Sequence, residues 1–458
     1  MIDSTSKKHY IAIIGGSISG SEAAFILAEK GYRVVVFEMK DLPYGKIEDG
    51  LPLWHVNLRN KQESNIDKNL NHPNIRFVPK VKIGEDIVFE DLIENWGFTA
   101  VILANGAWKD RELPVPGLDK YIHTRVIYQN ALLYWYNHKH EADYAGENYE
   151  IKDGTVVVGG GLASLDVMKL GMIELVQKAL LERKGIDVDV FTLERSGISS
   201  FLTENAISFE ELNLEGMTLV YRRTAYDMPL KTPRDTSEEN IEKAREVSNK
   251  LLQKYAENFY FKFVPLASPV DKIEKDENLE ALVFQRNQLE NGILTPVKGA
   301  TFAIKTPLVI SSIGSLPEPI KGLPYAGATL KMESGNGCRI AGFSNVFAVG
   351  NAVTGKGNIQ ESKAHGSMMT NRIIEEHLEP NDLMEEWVIS VNSSVKNKVQ
   401  EQIDSIDEEI KSKQVMPDKV IATILSRTEK MQQKVGYTGY EAWIKAKTPI
   451  RLEDMLKK

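Results

Sequence analysis

HYIAIIGGSISGSEAAFILAEKGYRVVVFE (residues 9–38) is the stretch that decides the fold of the first part of the chain. One apolar segment ends at Gly15, and a second apolar segment ends at Glu38. Between them, the composition from Ser21 to Lys30 is typical of a helix. This order predicts a strand, a glycine-rich turn, a helix and a second strand, the unit whose helix N-terminus binds the phosphates of a dinucleotide.

The turn departs from the usual G-x-G-x-x-G pattern at its middle position, where Ser17 replaces glycine. Gly15 should form the tight turn, and Gly20 should let the helix pack closely on the strand. The Ser17 hydroxyl could donate to a phosphate oxygen, and we interpret this residue as a tolerated substitution. Together with Ile18 and Ser19, these residues form a candidate pyrophosphate-binding loop.

Glu38 ends the second strand at the distance from the glycines where an acid accepts both ribose hydroxyls. Its carboxylate would repel a 2′-phosphate. The first site is therefore predicted to hold FAD or NAD, and we include the adjacent Met39 among its residues.

A second stretch, TVVVGGGLASLDV (residues 155–167), repeats the arrangement of strand, glycine turn and helix, with a strand predicted over 155–158. Two such turns in one chain are difficult to explain by packing alone, and they suggest two nucleotides that face each other. The candidate loop of this second site comprises Gly159, Gly160, Gly161, Leu162, Ala163 and Ser164.

Length and composition restrict the possible classes of function. A chain of 458 residues is too long for one core, so two or three domains are expected. The net charge of -8 disfavours broad nucleic-acid binding. No apolar run approaches the roughly 18 residues of a membrane span, and a cytoplasmic protein without membrane contact is expected.

Cysteine usage restricts the redox chemistry. Cys338 is the single cysteine, so the chain can form neither an intrachain disulfide nor a cysteine-ligated iron–sulfur cluster. Electron chemistry must therefore use a bound organic cofactor, and no metal site is predicted.

Several further stretches carry a resemblance to a known family: PYGKIEDGLP, LYWYNH, ILANGAW followed by LPVPG, GGGLASLDV, LVYRRTAYDMP and VFAVGNAVTGKGNI. They resemble the adrenodoxin reductase and glutamate synthase small subunit group of FAD-dependent pyridine nucleotide oxidoreductases, which are two-dinucleotide-binding flavoproteins. The resemblance covers residues 8 to about 378. It implies an α/β fold with two Rossmann-like domains, in which the NAD(P) domain is inserted into the FAD domain.

The implied boundaries assign residues 1–115 and 322–378 to the FAD domain. Residues 116–321 form the NAD(P) domain with a helical insertion at 172–216, and residues 379–458 form a helical C-terminal extension. The resemblance adds further candidate cofactor-binding residues: Gly45, Lys46, Ala104, Asn105, Gly106, Gly314, Gly350, Asn351, Asn358 and Ile359. Lys356 and Lys363 are solvated, or else they add positive charge near the flavin.

Two polar residues are candidate catalytic groups by the same resemblance. His55 matches a histidine near the flavin, and Asp166 matches an acid beside the nicotinamide pocket. Such a pair could relay the proton that accompanies flavin reduction. Alternatively, Asp166 only packs at a domain contact and His55 lies on the surface. Trp54 replaces the acid that is usual before this histidine.

The choice between NADPH and NADH depends on which strand follows the second turn. Arg222 and Arg223, at the end of one predicted strand, suit a 2′-phosphate because guanidiniums bind phosphate bidentately. A rival strand, DVDVFTLE, ends in Glu194 and would favour NADH. We expect NADP as the second cofactor, with NAD possible.

The resemblance implies an enzyme that takes hydride from NADPH onto FAD and passes electrons to a protein acceptor, such as a ferredoxin or an iron–sulfur subunit. One alternative is the electron-input subunit of a glutamate-synthase-like complex. Its cluster-binding extension would precede a strand that begins here near residue 9, which favours a free-standing reductase. Another alternative is a non-catalytic nucleotide sensor, because Ser17, Asn105 and Asn351 depart from the usual motifs.

The C-terminal extension shows one apolar stripe at helical spacing. Its members are Val395, Val399, Ile403, Ile406 and Ile410. The stripe should dock on the body of its own chain or, alternatively, on another subunit, so an oligomer formed through these helices is possible.

Overall fold

The structure, a computed structural model, describes residues 8–231, 233, 235–334, 338–350 and 380–457, with side chains of the last range from residue 395. The strands are β1 (Tyr10–Ile14), β2 (Arg33–Phe37), β3 (Ile75–Val78), β4 (Ala100–Leu103), β5 (Lys109–Asp110), β6 (Val126–Tyr128), β7 (Val156–Gly159), β8 (Thr218–Val220), β9 (Lys262–Val264), β10 (Ala267–Lys275), β11 (Asn278–Glu290), β12 (Ile293–Lys305), β13 (Val309–Ser312), β14 (Ser315–Leu316), β15 (Tyr325–Ala326), β16 (Thr329–Leu330) and β17 (Val346–Ala348). The helices are α1 (Ile18–Glu29), α2 (Lys46–Asp49), α3 (Val56–Leu70), α4 (Phe89–Glu94), α5 (Gln129–His138), α6 (Leu162–Lys184), α7 (Val190–Ser196), α8 (Ile198–Glu204), α9 (Glu238–Phe259), α10 (Pro380–Lys411), α11 (Asp418–Lys434), α12 (Tyr440–Lys447) and α13 (Leu452–Met455).

The first sheet is parallel and has the strand order β17-β4-β1-β2-β3. Its strands are short apolar runs that are buried on both faces, as expected for a parallel sheet covered by helices. Helix α1 begins at Ile18, three residues before the predicted start, because Ser17 is already the extended N-cap and its carbonyl accepts from the Ser21 amide at 2.7 Å. The turn therefore leads directly into the helix.

The second sheet is also parallel, with the order β6-β13-β7-β8-β9, and a three-stranded antiparallel sheet of β10, β11 and β12 follows it. The chain leaves the first sheet after β4 and returns to it only as β17, so the second sheet is inserted between two parts of the first. The predicted fold class, α/β with two Rossmann-like units, is confirmed. Among the described residues, no helix combines the length and hydropathy needed to cross a bilayer.

The excursion after the second turn differs from its predicted extent. Helix α6 is continuous from Leu162 to Lys184 and ends at Gly185, which adopts the left-handed conformation with a φ of 67°. The excursion beyond this helix therefore begins after Lys184 and not at residue 172, and it contains the helices α7 and α8. Helix α7 then packs back onto α6, and α8 packs on α7 and on α9, with Leu193 and Ile198 buried in the same core.

The C-terminal extension docks on its own chain. Val399, Ile403, Ile406 and Ile410 of α10 are fully buried in the core formed with α1 and the first sheet, and Val395 packs beside them. This arrangement confirms the predicted docking, and the stripe is not free for a second subunit.

The end of the extension closes a buried ion network around the segment that follows Gly45. Arg451 forms ion pairs with Glu48 of α2 and with Glu63 of α3, the latter at 2.9 Å. Beside it, Glu453 pairs with Arg59. All these side chains are at least four-fifths buried, so each charge depends on its partner to offset the loss of hydration.

The same network continues through α5. His138 contacts Glu141 at 2.7 Å and Asp49 at 3.2 Å, and Lys40 pairs with Asp49 at 2.5 Å. Burial opposes protonation of His138, but hydrogen bonds to the two carboxylates outweigh it and raise the pKa of His138 to about 9. His138 therefore acts as a cation at neutral pH.

We expect Arg451→Ala to lower the free energy of unfolding by about 3 kcal/mol, because it leaves the buried Glu48 carboxylate without its cation. Lys457→Ala, which removes an exposed pair with Asp454, should change stability by less than about 0.5 kcal/mol. Denaturant unfolding of the two variants measures both values. Equal stability of the two variants would contradict the structural role given to Arg451.

Candidate functional site

A cleft of about 240 Å³ opens at the carboxyl ends of β1, β2 and β4, where open α/β sheets bind their ligands. Seven predicted cofactor residues line it: Gly15, Ser17, Glu38, Met39, Gly45, Ala104 and Asn105. The other wall was not predicted to bind a cofactor: it comprises residues 81–85, Trp108, which ends the ILANGAW stretch, and residues 318–321. The predicted Ile18, Ser19, Gly20, Lys46 and Gly106 neighbour the lining residues without lining the cleft.

The backbone of the first turn passes so close to its neighbours that two glycines are required. A Cβ at Gly20 would lie 1.8 Å from the Gly15 carbonyl oxygen. Gly15 itself has a φ of 101°, and a Cβ there would lie 2.6 Å from the Ala104 carbonyl oxygen. These contacts bring α1 against β1 and β4, so that the N-terminus of α1 is directed toward the cleft.

Glu38 is buried at the end of β2 and is held by the backbone. Its two carboxylate oxygens accept from the Gly16 amide at 2.8 Å and from the Lys40 amide at 3.0 Å. Burial raises the pKa of Glu38, although both amide bonds and the Lys40 charge oppose the shift. Each oxygen keeps a second lone pair, which a ribose hydroxyl could use.

Ser17 has a structural partner in this conformation. Its hydroxyl donates to the Tyr44 carbonyl at 3.0 Å, and Gly45 follows with a φ of 56°. A Cβ on Gly45 would lie 2.8 Å from the Ser17 Oγ. Ser17 therefore ties the glycine turn to the loop that leads into α2.

The turn after β4 offers an unused polar atom. The Oδ1 of Asn105 is buried and has no hydrogen-bond partner among the described residues, and Asn105 lines the cleft. Gly106 continues the turn with a φ of 65°. An acceptor left unpaired in this position fits a ligand that donates a hydrogen bond, and the glycine turn and Glu38 fit the phosphates and ribose of a dinucleotide such as FAD.

Lys46, at the start of α2, is hydrogen-bonded to the two-stranded ribbon that β5 and β14 form between the two parallel sheets. Its Nζ donates to the Ser315 Oγ at 3.0 Å, and Asn130 donates to the same oxygen at 3.0 Å. Ser315 pairs with Asp110 in the two-stranded β5–β14 ribbon, just after Gly314, whose φ is 96°. Burial lowers the pKa of Lys46 to about 8 and raises the pKa of Asp110 to about 6.

The second glycine turn joins β7 to α6. A Cβ on Gly159 would lie 2.2 Å from the Ser164 Oγ, and a Cβ on Gly160 would lie 2.0 Å from the Tyr221 ring. Gly161 is the N-cap of α6, and no described atom lies within 4 Å of the position of its missing Cβ. Gly159 and Gly160 therefore pack tightly against the protein, whereas the space beside Gly161 is open. Leu162 and Ala163 follow at the N-terminus of α6.

The strand beside β7 is β8, and it leads into Arg222 and Arg223. Arg223 donates to the Gly292 carbonyl at 3.2 Å, while Arg222 is exposed and has no ion pair within the described parts of the chain. The rival strand is wrong: Val190–Ser196 is the helix α7, and its Glu194 pairs with buried Lys169 of α6 at 2.5 Å.

The two candidate catalytic side chains lie together. His55 and Asp166 are both buried, and the Nε2 of His55 lies 3.8 Å from the Oδ1 of Asp166. The sequence did not predict that the Trp54 indole donates to the same Nε2 at 3.1 Å. A second cavity, of about 280 Å³, adjoins them, and its lining includes Trp54, His55, Asn57, Phe191, Glu194 and Arg195.

Part of the predicted C-terminal flavin segment is described. Gly350 has a φ of 64°, and a Cβ there would lie 2.2 Å from the Ser19 Oγ, so this residue closes on the first turn. Asn351, Asn358 and Ile359, together with Lys356 and Lys363, lie outside the described residues.

Residues 9–170 match the sequence profile of the pyridine nucleotide-disulphide oxidoreductases. By this match, the chain resembles that family over its first part. It is 26% identical over 373 residues to the NADPH-ferredoxin reductase FprA of Mycobacterium leprae (strain TN), covering 75% of this chain and 78% of the relative. It is 33% identical over 163 residues to the glutamate synthase small chain of Bacillus subtilis (strain 168), covering 35% of this chain and 32% of that relative.

A solved structure has the same fold. That of Mycobacterium tuberculosis FprA in complex with NADPH superposes with a TM-score of 0.62 at 21% identity, covering 93% of this chain and 91% of the other. The predicted resemblance and the predicted enzyme class, an FAD-dependent oxidoreductase that uses NAD(P)H, are confirmed. Despite the name of the matched profile, the single cysteine of this chain excludes a redox-active disulfide within the chain.

We expect Gly20→Ala to prevent stable folding of the first domain, because the new Cβ would meet the Gly15 carbonyl oxygen at 1.8 Å. Gly161→Ala is the matched control in the second turn, where the space is open, and it should unfold within about 2 °C of the parent protein. Thermal unfolding followed by circular dichroism measures both. A Gly20→Ala variant as stable as the control would contradict the described packing.

Proposed function

We propose that this flavoprotein oxidises NADPH and passes electrons to an iron–sulfur protein such as a ferredoxin. The observation that carries the proposal is the approach of His55 to Asp166 at 3.8 Å. His55 lies on the segment between α2 and α3, in the part of the chain that carries the first turn, and Asp166 lies in the first turns of α6, directly after the second glycine turn. This contact supports two nucleotide sites that meet at one centre.

Bound FAD would supply a redox centre that accepts two electrons from a nicotinamide and releases them singly. The residues of this chain position and shield that chemistry. The α1 N-terminus and Glu38 would hold the phosphates and the ribose of FAD, and Asn105 would accept a hydrogen bond inside the cleft. Burial of His55 and Asp166 would keep these two side chains away from bulk water.

The preference for NADPH rests on the end of β8. Arg222 and Arg223 follow this strand, and Arg222 has no described carboxylate partner that would compete with a phosphate. Glu194, the acid that would have favoured NADH, is held in a helix by Lys169. Two guanidiniums at this edge suit a dianionic 2′-phosphate.

The acceptor is proposed from the relatives. The relative matched over most of its length is named an NADPH-ferredoxin reductase, and another is named an NADPH-Fe(3+) oxidoreductase subunit. The single cysteine means that an iron–sulfur acceptor must bring its own cluster ligands. We propose a separate, cluster-bearing electron carrier.

The first test is the visible spectrum of the purified full chain before and after anaerobic addition of NADPH. We expect a yellow protein whose absorbance near 450 nm is bleached by NADPH and restored by an oxidised ferredoxin. A colourless protein that takes up no added FAD would overturn the proposal in favour of a nucleotide sensor. Co-purification with a large amidotransferase subunit would favour the complex-subunit alternative.

The second test is the double variant Arg222→Ala/Arg223→Ala. It should raise KM for NADPH about 10- to 100-fold, the effect of losing one or two charge-assisted hydrogen bonds, and should leave KM for NADH within about threefold. Arg183→Ala, an exposed arginine in the last turn of α6, is the control. An equal loss for both nucleotides would contradict a contact with the 2′-phosphate.

A further inference from the structure

The Trp54–His55 contact assigns a specific protonation pattern to the buried histidine. An indole nitrogen only donates hydrogen bonds, so the Nε2 of His55, 3.1 Å away, must be the acceptor. A neutral imidazole that accepts at Nε2 carries its proton on Nδ1. His55 is therefore held in the Nδ1–H tautomer for as long as this bond persists.

The same bond determines the relation of His55 to Asp166. Without a proton on Nε2, the 3.8 Å separation from the Asp166 Oδ1 is a close approach and not a hydrogen bond. If the Nε2 of His55 carried a proton, this N–H and the indole N–H would be two donors facing each other, and no hydrogen bond could form between them. Trp54 and Asp166 thus compete for one ring nitrogen, and in this structure Trp54 holds it.

The position of Trp54 is fixed from several sides. The Lys169 Nζ lies 5.1 Å from the centre of the indole ring, and Lys169 is itself held by Glu194 of α7. The Tyr136 ring meets Trp54 edge-on at 5.7 Å. With only 7% of its surface exposed, Trp54 has little freedom to release the bond.

The other ring nitrogen is available to a ligand. No described residue forms a hydrogen bond with the Nδ1 of His55, and His55 lines the cavity of about 280 Å³ that it shares with α7. Aromatic walls from Trp54 and Phe191 and the exposed guanidinium of Arg195, which has no ion pair among the described residues, surround this space. The lining of the cavity therefore includes one N–H donor and one exposed cation, beside the Glu194 carboxylate that pairs with Lys169.

We propose that Trp54 is a positioning residue that fixes His55 in the Nδ1–H tautomer, so that His55 serves as a hydrogen-bond donor in the α7 cavity and not as a base relayed to Asp166. The ligand class that fits is a planar organic molecule with a carbonyl or carboxylate oxygen. The oxygen would accept from Nδ1–H, and the plane would lie between Trp54 and Phe191. This role refines the proposed function but does not need electron transfer to be observed.

The decisive experiment is long-range ¹H–¹⁵N NMR of the full chain labelled at histidine nitrogens, with the His55 signals assigned from their loss in His55→Gln. The parent protein should show His55 protonated at Nδ1 and unprotonated at Nε2. Trp54→Phe keeps an aromatic ring but removes the donor, and it should move the proton to Nε2, toward Asp166. Tyr136→Phe, whose ring also packs on Trp54, should keep the parent pattern.

Asp166→Asn provides a second variant that keeps the proposal testable if Trp54→Phe does not fold. The His55 pattern should be unchanged in Asp166→Asn, because Trp54 and not Asp166 sets the tautomer. An Nε2–H tautomer in the parent protein, or the parent tautomer in a folded Trp54→Phe variant, would overturn the assignment. These spectra need neither NADPH nor an acceptor, so a failure of the proposed electron transfer would be seen separately, in the flavin spectrum.

The ligand class has its own readout in the same spectra. Benzoate, a planar carboxylate, should shift the Nδ1–H signal of His55 in the parent protein and should shift it at least about fivefold less in Arg195→Ala at equal concentration. An Nδ1–H signal that does not respond to millimolar benzoate would overturn the ligand part of the proposal.

Discussion

The contact between Gly20 and the Gly15 carbonyl is the constraint on which the first domain depends. A hydrogen atom is the only side chain that fits there, since a Cβ would lie 1.8 Å from the carbonyl oxygen. This approach brings α1 down onto β1, and it directs the helix N-terminus into the cleft beside Glu38. The second turn uses the same device at Gly159, where a Cβ would lie 2.2 Å from the Ser164 Oγ, so one physical means fixes both turns.

The C-terminal extension packs on the outer side of the first glycine turn's helix and on the α2 segment. Its apolar stripe covers α1, the helix that carries the first turn. Arg451, the N-cap of its last helix, then pairs with Glu48, which lies two residues after Lys46, the residue bonded to Ser315. Ion pairs at this depth add little net stability, but each partner becomes costly to remove. The extension therefore makes the position of the α2 segment depend on the end of the chain.

Much of the fold could be predicted because local rules decide it. Gly15, Gly20 and Gly159 indicate close backbone approaches that only glycine allows. The apolar runs that precede Gly15 and Gly159 indicate buried parallel strands. The rival strand before Glu194 failed because eight apolar and acidic residues fit a strand or a short helix equally well, and packing of Leu193 on α6 chose the helix. The far wall of the cleft, residues 81–85 and 318–321, could not be predicted, since tertiary folding alone brings these segments together.

The ion pair of Lys169 and Glu194 connects the helix α7 of the insertion to Trp54, the residue that contacts His55. Lys169 is 1% exposed and stands on the α6 face that also bears Asp166, so its charge would be prohibitive without a partner. Glu194 supplies that partner from α7 at 2.5 Å, and the cation then rests on the Trp54 ring. A chain without α7 would lack the carboxylate that pairs with this ammonium beside Trp54. The insertion is therefore part of the structure that holds the indole, and through the indole it determines which nitrogen of His55 carries the proton.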